Sequence, residues 1–177
     1  MGQSYRVGGV RGTPDPTAGP AWARLGHMSE TTGQLRARPK LVAGGAGADV
    51  AIAFYEAVLD APTTARHTMA GAVVFAQLEL PSGDVVQVKD ADAVDPAPPA
   101  AGGGLVMDLL CDDPDAVVAR AVEHGAEGVF EVTDQPYGSR QGRFRDPFGH
   151  HWIVGTPITL TDEEVQRALD DMQAGSG

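Results

Sequence analysis

The order of predicted secondary-structure elements is the feature that most constrains this fold, because the same order occurs twice in one chain. The first run predicts a strand at 40–43, a helix at 49–59 and strands at about 65–69, 72–80 and 84–89. The second predicts a strand at 105–111, a helix at 114–124 and strands at about 129–133, 142–145 and 151–155. No obvious sequence identity relates the two runs, so the repeat lies in the order of the elements.

Local signals support these elements. In the first helix, the 3.6-residue period places Val50, Ala53, Phe54, Ala57 and Val58 on one face, which we predict to be buried. The turn sequence 81–84 joins two strands as a hairpin. In the second run, Asp113-Pro114 is typical of a helix start and Gly125 of its end.

The domain organisation follows from where these patterns begin and stop. Gly, Pro, Ala, Thr and Arg dominate the first residues without apolar periodicity, which predicts a disordered leader. The predicted boundaries are a leader at 1–36, one domain at 37–158 with modules at about 38–92 and 103–157, a linker at 93–102, and a helix with tail at 159–177. Thr161 and Glu164 form a predicted capping box, and Val165, Leu169 and Met172 are expected to pack on the domain or on a partner subunit.

Composition excludes several classes of protein. The net charge of −11 disfavours nucleic acid as a partner. No apolar run is long enough to span a bilayer and the first residues lack the apolar core of a signal peptide, so we predict no membrane association. The single cysteine, Cys111, excludes an internal disulfide and suits a reducing compartment, so we predict a cytoplasmic protein.

Common catalytic motifs are missing from the sequence. It contains no phosphate-binding GK[ST] loop, no GxSxG elbow, and neither HxH nor HExxH spacing. His150 and His151 are adjacent, so they point to opposite sides of a strand and cannot both face one site. Cys111 ends an apolar strand, which favours a buried thiol over a nucleophile.

Asp108 lies in the middle of the apolar strand LVMDLLC. A buried carboxylate is unfavourable unless it is paired, protonated or bound to metal. Alternation places Val106, Asp108 and Leu110 on one face, and Met107 with Cys111 on the other. Asp108 is therefore a candidate pocket residue, while a solvent-facing or arginine-paired carboxylate remains an equal alternative.

The stretch from Gln135 to Trp152 combines aromatic and cationic side chains. These are Tyr137, Phe144, Phe148 and Trp152 together with Arg140, Arg143 and Arg145. Aromatic walls with convergent cations suit a small anionic or carbonyl-bearing ligand. Asp146 to Gly149 predicts a turn, whereas a ligand-binding and a structural role remain open for Tyr137, Arg140 and Trp152.

Three segments resemble the vicinal oxygen chelate superfamily, which has the glyoxalase, bleomycin-resistance and dioxygenase fold. They are VAIAFYEAVLDA, CDDPDAVVARAVEHGA and QPYGSRQGRFRDPFGHHWIVGTP, and they look most like the PhnB-like branch. The resemblance implies an α+β fold of two βαβββ modules that form a curved, cavity-enclosing sheet, followed here by a C-terminal helix. The motif DPFGH marks the fold and the branch but does not specify a reaction.

The resemblance also implies where a metal would be held. Metal-dependent members take ligands from the first and last strand of each module, which correspond here to Lys40, Gln87, Asp108 and Ile153. Lys40 is a cation and Ile153 has no ligand atom, so we expect no complete metal site and no cofactor. Gln87 and Asp108 remain weak candidate ligands, and a divalent metal stays possible.

We therefore predict that the chain binds a small molecule in a cavity between its modules. The predicted lining is Phe75, Gln77, Gln87, Asp108, Tyr137, Arg140 and Trp152. In the resembling branch the positions of Phe75 and Gln77 are often His and Glu, which favours binding over metal chemistry here. The alternatives are a metal-dependent glyoxalase-like lyase or dioxygenase-type enzyme, and a metal-free enzyme with Asp108 as its base. A homodimer is expected, with Gln87 and Asp108 of one site contributed by different subunits.

Overall fold

The computed structural model describes Leu35, residues 37–99 and residues 104–175. The predicted leader, apart from Leu35, and part of the predicted linker lie outside the described residues. The first module contains β1 (Lys40–Ala43), α1 (Ala48–Leu59), β2 (Thr63–Met69), β3 (Ala72–Glu79) and β4 (Val85–Asp90). The second contains β5 (Val106–Leu110), α2 (Pro114–Glu123), β6 (Glu127–Asp134), β7 (Arg140–Arg145) and β8 (His151–Gly155), and α3 (Asp162–Ala174) follows.

Each module forms its own four-stranded sheet with the same topology. The strand orders are β1-β4-β3-β2 and β5-β8-β7-β6. In both sheets the first and last strands of the module pair in parallel, and the other pairs are antiparallel. The predicted repeat and α+β class are confirmed, although the chain forms two separate sheets where one curved sheet was expected.

The buried face of α1 differs from the predicted one. Ala51, Ile52, Tyr55, Val58 and Leu59 are buried, with Ala48 and Phe54 beside them. Val50 is 51% exposed, and Ala53 and Ala57 are exposed as well. The prediction of a buried face through Val50, Ala53 and Ala57 is therefore wrong. The helix instead turns its larger side chains, Ile52 and Tyr55, towards the core, because these bury more apolar area per residue than alanine.

The ends of α2 and α3 confirm the predicted caps. The Asp113 carboxylate accepts a hydrogen bond from the Ala116 amide, and Pro114 occupies the first turn. Thr161 and Glu164 form both hydrogen bonds of a capping box. No residue of α3 is buried within the described chain, and Leu169 and Met172 are exposed. Val165 is half-buried, and the expectation that α3 packs on the domain or on a partner subunit stays a prediction.

The two modules meet on the sides that carry their helices. Helix α1 packs on β1, β3 and β4, α2 packs on β6, β7 and β8, and the two helices contact each other. One continuous apolar core contains residues of both modules. The opposite face of each sheet is excluded from this shared core, and we call these surfaces the open face of module 1 and the open face of module 2.

Among the described residues, no helix has both the length and the apolar character needed to cross a membrane.

Candidate functional site

The segment around Asp146 forms a buried set of contacts between the two modules. The Asp146 carboxylate accepts hydrogen bonds from the Tyr55 hydroxyl of α1 at 2.6 Å and from the Trp152 indole N–H of β8 at 2.8 Å. Its other oxygen accepts the backbone amides of Phe148 at 3.0 Å and His150 at 2.9 Å, which closes the predicted turn. We call Tyr55, Asp146, His150 and Trp152 the Asp146 cluster. Through Asp146, this cluster links helix α1 of module 1 to strand β8 of module 2.

The protonation of this cluster follows from its contacts. Burial alone would raise the pKa of Asp146, which is only 3% exposed, but hydrogen bonds with His150, Tyr55 and Trp152 outweigh it and lower the pKa. Burial and the Asp146 charge raise the pKa of Tyr55, so its hydroxyl stays protonated and donates. The carboxylate is therefore held ionised in the interior by several donors, an arrangement that stabilises structure.

Two residues of the predicted lining lie away from the open faces. Trp152 is fully buried on the helix side of its sheet, with its ring stacked on Phe144 and tilted against Tyr55. Arg140 forms ion pairs with Asp115 of α2 and with Asp134. The structure thus does not bring Trp152 and Arg140 together with Asp108, because the neighbours of both lie on the opposite side of the sheet.

The open face of module 1 carries the other predicted residues of that module. Strand register aligns Ala65, Gln77, Gln87 and Lys40 in one row across all four strands. The Gln77 side-chain amide donates to the Thr64 hydroxyl. Phe75 lies beside this row and stacks on His67 of the neighbouring strand. The structure therefore gathers Phe75, Gln77 and Gln87 on one surface.

Lys89 of β4 also lies on the open face of module 1. It pairs with Val42 in the parallel ladder, two residue pairs beyond the pairing of Gln87 with Lys40. Its ammonium group donates to Asp92 at 2.6 Å and to Asp95 at 2.7 Å, and the residue is only 7% exposed. The charge of Lys89 is therefore neutralised by the segment that leaves the sheet.

The open face of module 2 is more exposed than that of module 1, and its register forms three rows. The first contains Glu127, Arg145, His151 and Val106, the second Phe130, Arg143, Ile153 and Asp108, and the third Thr133, Gln141, Gly155 and Leu110. The alternation predicted for β5 is thus observed, because Met107 and Leu109 pack against the core while Asp108 is exposed. Within one chain, Asp108 faces solvent.

Tyr137 lies close enough to Asp108 to be affected by its charge. Its hydroxyl donates to the side-chain oxygen of Gln141 at 2.7 Å. Burial raises the pKa of Tyr137, and the negative charge of Asp108 raises it further. Asp108, Tyr137 and Gln141 therefore form a polar group at one end of the open face of module 2, where they can donate to or accept from a small molecule.

Two arginines and a histidine extend from the middle row of this face to its other end. Arg145 forms an ion pair with Glu127 across the β6–β7 ladder. Burial and the charges of Arg143 and Arg145 lower the pKa of His151, which keeps its imidazole neutral at pH 7. Sequence reasoning noted Arg143 and Arg145 but left His151 out. Alternation along β7 and β8 is the signal that would have placed all three on the face of Asp108.

The four positions at which the resemblance implies metal ligands are brought together in pairs. Lys40 lies opposite Gln87 on one open face, and Asp108 lies opposite Ile153 on the other. An ammonium group and an aliphatic side chain supply no lone pair to a cation, so the donor set does not fit a divalent metal. In the described part of the chain, no three His, Cys, Asp or Glu side chains are grouped as metal ligands would be.

A separate cavity of about 390 Å³ lies where the helices meet the strand ends. Leu59, Leu80, Leu109 and Val117 give it apolar walls, and Cys111 also borders it. Burial is the main cause of a raised pKa at Cys111, so its thiol remains protonated, in agreement with the prediction that it is not an activated nucleophile.

The sequence model of the Glyoxalase/Bleomycin resistance protein/Dioxygenase superfamily matches residues 42–154. The chain belongs to this family. The match spans both modules, in agreement with the resemblance.

Individual relatives support the same placement. An uncharacterized protein of Mycobacterium tuberculosis is 31% identical over 168 residues, which cover 90% of this chain and 97% of the relative. The crystal structure of a gene product from Arabidopsis thaliana has a TM-score of 0.56 and 28% identity, and the similarity covers 68% of this chain and 98% of that one. A glyoxalase family protein from Bacillus cereus, at 21% identity and a TM-score of 0.57 over 73% of this chain and 98% of that one, shares the fold.

Proposed function

We propose that this protein binds a small molecule between the open face of module 1 in one copy and the open face of module 2 in a second copy of the chain. The observation that carries the proposal is the packing of the two modules through their helix sides. Both open faces lie outside this shared core, and the open face of module 2 carries exposed polar side chains such as Asp108. A homodimer would cover both faces and enclose a site between them.

Exposed apolar side chains support burial by a second copy. Leu110 lies on the open face of module 2 and is 69% exposed, and Phe130 of the same face is 41% exposed. Leu105 and Met69, close to the ends of β5 and β2, are also exposed. Apolar surface of this extent at the rim of polar faces is typical of an interface.

The proposed site combines residues that the two faces hold separately. Module 1 of one copy would contribute Phe75, Gln77 and Gln87, and module 2 of the other would contribute Asp108 and Tyr137. Aromatic rings, two carboxamides, a carboxylate and a phenol suit a small ligand with an apolar body and polar groups. Trp152 and Arg140 form no part of the proposal, since their contacts lie on the helix side.

We propose that binding requires no metal, because Lys40 and Ile153 occupy two of the four positions at which the resemblance implies ligands. The motifs favour the PhnB-like branch, and the single cysteine favours the cytoplasm. A metal-dependent glyoxalase-like reaction is the competing function. It would need Gln87 and Asp108 of different copies to be completed by two further ligands.

Light scattering tests the dimer directly. We expect a mass close to twice 18.4 kDa at micromolar concentration for the unmodified protein. Leu110→Asp should shift the mass towards the monomer, because a carboxylate would be desolvated in the interface. Val122→Asp is the matched control, since Val122 is exposed on α2, away from the open faces, and should leave the mass unchanged. A monomer mass for the unmodified protein would overturn the proposal.

Elemental analysis and chelation separate the two functions. Purified protein should contain less than one equivalent of divalent metal per dimer, and EDTA should leave ligand binding unchanged. If EDTA abolishes binding and a divalent ion restores it, the metal-dependent function replaces the one proposed.

A further inference from the structure

We infer that the open face of module 2 contains a subsite for the anionic group of the ligand, formed by Arg143 and His151. This inference rests on the proposed function and adds the chemical class of the ligand. Arg143 lies in the middle of β7, and His151 lies on the adjacent strand β8, one row away on the same face. The two side chains are thus diagonal neighbours, the arrangement in which long side chains of a sheet interact.

Unpartnered buried nitrogen atoms are the first argument. The Nε atom of Arg143 and the Nδ1 atom of His151 are both buried, and neither has a hydrogen-bond partner among the described residues. Buried polar groups in native proteins nearly always have partners, so these two atoms show that the described chain leaves two neighbouring polar side chains on one face incompletely hydrogen-bonded. The Nε atom of Arg120 is also without a partner, but Arg120 pairs with Asp60, whereas no carboxylate pairs with Arg143 among the described residues. An acceptor-rich ligand group on the open face would pair with the guanidinium group of Arg143.

The ion pairs that other arginines form are the second argument. Arg66 is paired with Asp49, Arg120 with Asp60, and Arg145 with Glu127. No ion pair within the described residues involves Arg143. In a chain with a net charge of −11, a half-buried arginine without a carboxylate is unusual, because acidic side chains outnumber basic ones 24 to 13.

The surroundings of Arg143 define the rest of the ligand. Phe130 and Ile153 flank it on the neighbouring strands and would contact an apolar or aromatic body. Asp108 lies in the same row two strands away, about 10 Å from Arg143 between backbones. Its charge repels an anion and so directs the anionic end towards Arg143. The ligand class is therefore a small organic oxyanion with an apolar body.

Matched probes test this class without knowledge of the natural ligand. We would titrate the full-length protein with benzoate, with its neutral analogue benzamide and with inorganic phosphate at constant ionic strength. Binding would be followed by calorimetry and by amide chemical shifts. Benzoate should bind about tenfold more tightly than benzamide, because a carboxylate forms charge-assisted hydrogen bonds with a guanidinium group. Phosphate, which lacks the apolar body, should bind more weakly than benzoate.

Substitutions assign the effect to the two side chains. Arg143→Gln should reduce benzoate affinity about tenfold and leave benzamide affinity within about twofold. Arg143→Lys should restore part of the loss, since it keeps the charge but not the planar fork. His151→Gln should give a smaller reduction. Arg66→Gln, on the helix side, removes the same charge and should leave both affinities unchanged. Melting temperatures of all variants would show that each is folded.

The outcomes distinguish this inference from the proposed function. If benzoate and benzamide bind equally, or if Arg143→Gln leaves benzoate affinity unchanged, the anionic subsite is overturned, while shifts at Phe75, Gln87 and Asp108 would still support a site between the open faces. If neither aromatic probe binds at millimolar concentration, the stated ligand class is wrong. A monomeric protein with no shifts on either open face would contradict the proposed function as well.

Discussion

The two modules share one topology but distribute burial in different ways. Helix α1 buries seven residues, whereas α2 buries only Pro114 and Ala121. Helix α2 contributes ion pairs, between Asp115 and Arg140 and between Arg120 and Asp60. The same strand order therefore supports an apolar half and a polar half, which shows that topology does not determine how burial is shared.

The two open faces also differ in burial and in the pairing of their charged side chains. In module 1, Gln87 and Lys89 are buried and Asp92 with Asp95 neutralises the lysine. In module 2, most residues of β6 are exposed and Arg143 has no carboxylate partner in the described chain. We infer that module 1 supplies most of the stability of the fold, while module 2 supplies the polar groups that select a ligand.

We expect the largest loss of stability from a substitution in the Asp146 cluster, because this cluster joins the two modules. Asp146→Ala would leave the Tyr55 hydroxyl and the Trp152 indole N–H buried without an acceptor. We expect a loss of about 3 kcal/mol or more in the free energy of unfolding. Urea denaturation followed by tryptophan fluorescence would measure it.

Asp108→Ala is the matched control for this prediction. Its carboxylate faces solvent on the open face of module 2, so the change should stay within about 0.5 kcal/mol. If the two alanine variants lose similar stability, the Asp146 cluster is not where the fold is held together.

A matched pair of tyrosines tests the difference between the modules one hydroxyl at a time. Tyr55→Phe removes a buried donor to Asp146, and we expect a loss of about 1–2 kcal/mol in the free energy of unfolding. Tyr137→Phe removes a partly exposed hydrogen bond to Gln141 and should cost less than about 0.5 kcal/mol. Thermal denaturation of both variants suffices as the measurement. Equal losses would contradict the inference that the buried Asp146 cluster stabilises the fold more than the open face of module 2 does.

Much of the fold could be predicted from the sequence because its signals are local. Strand β1 and strand β8 have the predicted bounds, and the caps at Asp113 and Thr161 follow from residue types that satisfy helix ends. The buried face of α1 was predicted incorrectly, because apolar residues occur on two of its faces. The choice between them depends on Tyr55 meeting Asp146, a contact across 91 residues that no local period reveals.

The candidate site was less predictable for the same reason. Alternation correctly placed Phe75 with Gln77 and separated Asp108 from Met107, since both statements concern a single strand. Trp152 and Arg140 look like ligand-binding residues in sequence, but their side chains belong to the helix side. Their roles are set by Tyr55 and Asp115 in other elements. Residue type thus indicates which interactions a side chain can form, and only its tertiary contacts show which of them it does form.

We expect the smallest loss of stability from a substitution of Asp92, one of the two carboxylates that pair with Lys89. A hydrogen bond from the Lys89 ammonium group, together with the backbone amides of Asp95 and Val94, lowers the pKa of Asp92 to about 2. Because the folded value lies below the unfolded value of about 3.9, Asp92 contributes stability above the unfolded value and loses it as the pH falls through the folded value. We expect Asp92→Asn to lower the melting temperature slightly at neutral pH.

Melting temperatures measured at acidic pH test this prediction more directly. The difference in melting temperature between the unmodified protein and Asp92→Asn should shrink as the pH is lowered from about 5 towards about 2, since the native carboxylate is then protonated as well. Asp171→Asn, an exposed position on α3, should show no such convergence. A difference that stays constant across this range would mean that Asp92 acts through its turn geometry and not through its charge. In that case Asp95 alone would neutralise Lys89, and the contribution inferred for the charge of Asp92 would be wrong.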